Sequence, residues 1–127
     1  MYYRDYAKKY AEFQDYEIEV SLKDVYTGEV EDQIIMWDGH FYMILSEIPL
    51  NEEGMYVALA YHQNIDQPWR NLNNDYWIMD CLDESLQQLK IIENDFEDEE
   101  TRIICKDFAR IIEKAINNKK QILIRRL

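Results

Sequence analysis

Glycine, proline and cysteine are all scarce in this chain. Three glycines and two prolines among 127 residues exclude a collagenous, linker-like or loop-dominated protein. Gly28, Gly39 and Gly54 stand alone, so neither GxxxxGKS/T nor GxGxxG can be built, which excludes a phosphate-cradling loop. Two cysteines, Cys81 and Cys105, are too few for a disulfide framework, and a reducing cytoplasm is the expected setting. No apolar run approaches the roughly 20 residues of a membrane-spanning helix. The opening MYYRDYAKKY also lacks the apolar stretch of a secretory signal. Cations are the last scarcity: 14 Lys and Arg face 26 Asp and Glu, for a net charge of -12.

Apolar residues, by contrast, make up 47% of the chain, with ten tyrosines, three tryptophans and four phenylalanines. That is too hydrophobic for a disordered acidic tail. The length fits one domain spanning residues 1–127.

The charge is unevenly placed. Residues 12–101 hold 23 acids but only three cations, Lys23, Arg70 and Lys90. Between Lys23 and Arg70 there are nine acids and no cation at all. Residues 102–127 reverse the balance, with eight cations against Asp107 and Glu113. An ordinary surface mixes signs because like charges repel. Either the acidic stretch serves solubility, or a partner supplies the missing cations. The basic segment Lys114–Leu127 is read as neutralising the molecule's own acidic body.

Hydrophobic spacing predicts an α+β domain. Tyr3, Tyr6, Tyr10 and Phe13 recur at helical spacing, predicting an N-terminal helix over about residues 2–14. Ile18, Val20 and Leu22 alternate with polar residues as a strand with one wet face. Thr27-Gly28 reads as a turn, and Asp38-Gly39 between residues 33–37 and 40–45 reads as a hairpin turn. Residues 55–61 read as a further strand, completing an antiparallel meander, and 62–75 as a long loop anchored by Trp69. Tyr76 to Met79 is ambiguous between strand and helix entry. Asp83 caps a predicted helix carrying Leu86 and Leu89. A second helix carries Ile104, Phe108, Ile111, Ile112 and Ala115 as one stripe, and Asn117-Asn118 stops it. A short β-prone piece follows over 121–127. The expected architecture is an N-terminal helix, a meander, then two helices and a C-terminal strand, with the helices in one layer on the sheet.

Few residues point to chemistry. His40, His62, Cys81 and Cys105 are isolated, whereas structural zinc wants closely spaced ligands. The acidic run from Glu93 to Glu100 lacks the glycine and closing glutamate of an EF-hand. Cys105 lies beside Ile104 in the amphipathic helix, where a small buried hydrophobe is the ordinary reading, and no family-specific context surrounds Cys81. No metal, no cofactor and no catalysis are expected. Direct nucleic-acid binding is disfavoured because phosphates repel net negative charge. No membrane partner is expected either.

The leading reading is a protein inhibitor whose acids occupy the basic channel of a nuclease or other nucleic-acid enzyme, in partial imitation of a row of phosphates. The residues expected to carry it are Glu29, Glu31, Asp32, Glu47, Glu52 and Glu53 of the meander, plus Glu93, Asp95, Glu97, Asp98, Glu99 and Glu100. Small size, acidity, few glycines and missing catalytic motifs resemble phage- and plasmid-encoded anti-CRISPR and anti-restriction proteins. That resemblance covers bulk properties and no residue motif, and the C-terminal cations depart from it. An immunity protein against a nuclease toxin has the same electrostatics. A ligand-binding domain would instead use a pocket of Trp37, Tyr42, Trp69, Trp77 and His62, and an adaptor would use Tyr2, Tyr3, Tyr6 and Tyr10.

Overall fold

The structure, a computed structural model, describes residues 2–70 and 75–127. Its centre is the alternating strand β2 (Glu17–Lys23), which turns Ile18, Val20 and Leu22 to the core. β2 pairs antiparallel with β3 (Val30–Trp37) on one side and β5 (Gln121–Arg126) on the other. Matching registers place Met36 and Ile34 beside Ile18 and Val20, and Ile122 and Ile124 beside Leu22 and Val20, on the same apolar face. β1 (Tyr2–Asp5) adds to β3 in parallel, and the two-residue β4 (Trp77–Ile78) adds to β5. The order is β1-β3-β2-β5-β4, a mixed five-stranded sheet.

The apolar face is covered by α1 (Asp38–Ser46) and α4 (Glu99–Asn118), while α3 (Leu82–Ile92) packs on α4 and on the short α2 (Ala58–Tyr61). α4 forms where the apolar stripe predicts it, burying Ile104, Phe108, Ile111, Ile112 and Ala115. Each large side chain of that stripe contributes roughly 1.5–3 kcal/mol by leaving water. Asp98 caps the helix by accepting the Thr101 amide at 3.2 Å. At the other end Lys119 turns left-handed (φ +55°) and the Lys120 amide reaches back to the Ala115 carbonyl at 2.9 Å.

The opposite sheet face has a polar centre. Glu19, only 4% exposed, accepts from the Tyr76 hydroxyl at 2.5 Å and from Arg125 at 3.2 Å. Gln33 donates to Ser21, which donates to Glu19. The Arg125 guanidinium lies 4.4 Å from the Tyr76 ring centre.

The α+β class stands, and the expected layout is corrected in three places. The N-terminal segment is a strand followed by a 3-10 turn (Lys8–Phe13), because Arg4 and Tyr6 are drawn to Asp107 of α4 rather than to a helix axis. Asp38-Gly39 opens α1 instead of turning a hairpin, and residues 40–45 are helical, with His40, Phe41, Ile44 and Leu45 buried. Residues 55–61 are not a strand: they lead into α2, which runs on as a π-type turn (His62–Asp66). The meander is thereby replaced by a sheet whose central pairing joins β2 to β5 across the chain. Part of the predicted 62–75 loop, residues 71–74, lies outside the described residues, and Trp69 is fully buried against Phe41 and Trp77. Among the described residues no helix is long and apolar enough to cross a membrane.

Candidate functional site

Alternation along β3 puts Asp32 in phase with Ile34 and Met36, so its carboxylate enters the core side of the sheet. There it is fully buried and meets Arg4 of β1 at 3.0 Å, Arg110 of α4 at 3.0 and 3.2 Å and Lys114 at 3.5 Å. Asp107, one turn before Arg110, accepts from Arg4 at 2.9 Å, Arg110 at 2.8 Å and the Tyr6 hydroxyl at 2.6 Å. The Tyr2 ring lies 4.0 Å from the Arg4 guanidinium. Burial pushes both carboxyls up in pKa. For Asp32 the hydrogen bonds from Arg110 and Arg4 outweigh it, and for Asp107 those from Arg4, Tyr6 and Arg110 do, leaving both below the usual carboxylate range. Burial, then the Asp107 bond, pushes Tyr6 up to about 12. This cluster joins strand to helix, and Asp32 is therefore corrected from a solvent-side acid to a buried one.

Three more of the expected acids are engaged within the chain. Glu31 pairs with Lys120, which also reaches Asp24 at 3.6 Å. Glu100 pairs with Lys9 and accepts from Tyr10 at 3.3 Å. Asp98 caps α4 while staying exposed. The basic C-terminal residues Arg110, Lys114, Lys120 and Arg125 thus pair with the chain's own acids. Glu29, Glu47, Glu52, Glu53, Asp95, Glu97 and Glu99 are exposed, and Glu93 is half-buried. The structure does not gather the twelve into one site. It distributes them over the β2–β3 turn and the start of β3, the α1–α2 connection, and the α3–α4 connection with the first turn of α4.

The α1–α2 connection forms one wall of a surface groove. Asn51 holds it as a closed turn: its side chain accepts the Glu53 and Met55 amides at 3.0 and 2.8 Å, and its own amide meets the Met55 carbonyl at 2.9 Å. Gly54 takes φ +76°, which a side chain would resist. The Gln88 amide of α3 then clamps the entry to α2. It donates to the Val57 carbonyl at 2.8 Å and accepts the Leu59 amide at 3.1 Å. Between turn and helix runs a groove of about 410 Å³, walled by Pro49, Leu50, Val57 and Ile91 and flanked by Glu52 and Glu84. Sequence reasoning missed the groove, although Leu50 and Ile91, unassigned in any predicted stripe, were its signal.

A larger cleft of about 550 Å³ is lined by Asp5, Lys8, Lys9, Glu99 and Ile103, with charges of both signs. The aromatic pocket is not assembled. Trp37 stacks on Tyr10 at 4.7 Å, whereas His62, Trp77 and Trp69 form another ring cluster at 4.6 and 5.7 Å. Tyr42 is exposed. Of the adaptor tyrosines, Tyr2 and Tyr3 are exposed, while Tyr6 and Tyr10 are half-buried and engaged.

Neither thiol is primed for attack at neutral pH. Burial pushes Cys105 up to about 12, and burial with Asp80 and Glu84 raises Cys81. Among the described residues no group of three or more His, Cys, Asp or Glu is placed to hold a metal ion. His62 lies between two carboxylates, Asp66 at 2.8 Å and Asp80 at 3.0 Å. No protein-family model, curated protein or solved structure matches this chain.

Proposed function

We propose that this protein is a non-enzymatic inhibitor that binds a basic protein, in the first instance the nucleic-acid-binding region of a nuclease or related enzyme. The observation that supports this reading is the division of charge. Arg4 of β1, Arg110 and Lys114 of α4, Lys120 just before β5 and Arg125 within it pair with the chain's own acids, while Glu47, Glu52 and Glu53 are exposed in a stretch without any cation from Asp24 to Trp69. Opposite fields steer such an encounter and make it sensitive to salt.

The same stretch also exposes Tyr42, Met43, Leu50, Met55 and Tyr56. A strict phosphate imitation needs acids alone, whereas acids interleaved with apolar side chains suit a protein surface. This favours the immunity-protein form of the reading over whole-body mimicry of the anti-CRISPR kind.

The test is a tagged pull-down from a bacterial lysate, eluted over a salt series and identified by mass spectrometry. A basic nucleic-acid enzyme held near about 0.1 M salt and released towards about 0.5 M is the expected result. Reversing Glu47, Glu52 and Glu53 to Lys should abolish its capture and its inhibition. Undiminished inhibition by that triple variant would overturn the assignment of this surface.

A further inference from the structure

We infer that the groove between the α1–α2 connection and α3 receives an amphipathic basic segment of the partner, with an aliphatic side chain seated between Leu50 and Ile91 and Lys or Arg beside Glu52 and Glu84. This rests on the reading of the protein as a binder of a basic partner and specifies where and how the contact is made.

Three observations carry it. Ile91 is 66% exposed and Leu50 is 47% exposed, on opposite walls of one groove. On α3, Glu84, Gln87, Gln88 and Ile91 fall at spacings of three and four, so acid, amide and aliphatic groups lie along one stripe facing the opening. The rim is also fixed before anything binds, because Asn51 closes the turn and Gln88 pins α2 to α3. A preformed wall spares the ordering cost of binding.

The charge selects the occupant. The groove's lining has two carboxylates and no cation. An acidic or neutral apolar segment would leave them unpaired, whereas a helix with a basic flank and a Leu or Ile ridge satisfies both walls.

The experiment titrates the 15N-labelled full chain with a synthetic amphipathic Leu/Lys peptide, followed by amide shifts, with poly-lysine as the charge-only probe. Shifts confined to residues 48–57 and 84–91, and an affinity reduced about tenfold in Ile91→Ser, are expected. Ile91 is exposed, so that variant keeps the fold, and Leu50→Ser provides an independent check. Glu52→Gln with Glu84→Gln should reduce the salt dependence while leaving the aliphatic contribution. The groove assignment is overturned if the peptide leaves those amides unmoved, if Ile91→Ser binds as tightly, or if poly-lysine produces the same shifts. If Ile91→Ser captures the pull-down partner undiminished, the groove fails and the general reading survives. If no basic partner is captured while the peptide still titrates, the general reading fails instead.

Discussion

Gly39 lies directly under the indole of Trp37: a Cβ at position 39 would stand 2.5–2.6 Å from three of its ring carbons. The ring has little freedom to retreat, since it stacks on Tyr10, donates from Nε1 to Asp15 at 3.0 Å and meets His40 edge-on. Glycine is needed at the start of α1 for space, not for a left-handed turn.

Gly39→Ala is therefore expected to destabilise the protein by about 1–3 kcal/mol, the usual cost of overpacking a fixed site. Urea unfolding followed by tryptophan fluorescence measures it. A loss under about 0.5 kcal/mol would mean that the indole swings aside freely.

Removing the Asp32 carboxylate takes from Arg4 and Arg110 one of the two carboxylates they share, leaving Asp107 alone to face both guanidiniums. Breaking a buried pair from one side typically costs about 3–5 kcal/mol, and Arg110 reaches water, so about 2–3 kcal/mol is expected for Asp32→Ala. Glu29→Ala, on an exposed side chain, is the control and should change stability by under about 0.5 kcal/mol. Equal effects in the two variants would contradict the buried cluster.

The same cluster sets the acid limit of the fold. A carboxyl whose folded pKa is depressed contributes stability above its unfolded pKa and loses that contribution as pH falls through the folded value. Asp32 and Asp107 are both depressed, so stability should be level near neutrality and decline below about pH 4. Asp32→Asn with Asp107→Asn should be less stable at pH 7 and show a flatter decline. Parallel acid limbs for variant and wild type, read from urea midpoints between pH 7 and pH 3, would count against this origin.

Lys119 closes α4 in the left-handed conformation that glycine adopts without strain. Lys119→Gly should raise stability by about 1 kcal/mol, seen as a higher melting temperature with unchanged helix content. A drop would show that the lysine side chain contributes more than its backbone strain costs.

The elements that were legible in the sequence are those in which local pattern and tertiary need agree. α4 is long, periodic and capped, and β2 alternates in sequence, although the polar face expected to be wet is buried at Glu19 and Ser21. α1 was misread because His40 to Leu45 is a continuous aromatic and aliphatic run that suits either state. Its burial in pairs, 40–41 and 44–45, with 42–43 exposed between them, is nonetheless a helical signature. The N-terminus misled in the opposite sense. Tyr3, Tyr6 and Tyr10 have helical spacing, yet Tyr6 is claimed by Asp107 a hundred residues away and Tyr10 by Trp37. Propensity does not register such distant partners. The cation gap was legible and the groove was not, because a groove depends on which loop lies beside which helix. For Asp32, a carboxylate at the apolar phase of a strand was the available sign of a buried partner.

The position of β5 between β2 and β4 has a consequence for synthesis. Residues 121–126 leave the ribosome after every other described element, yet they fill an interior place in the sheet. Until they emerge, β2 presents an open edge with Ile18, Val20 and Leu22 beside it, a template for pairing with other chains. A product arrested before Gln121 would expose that edge permanently. A form lacking β5 should therefore aggregate rather than persist as a smaller, partly active molecule.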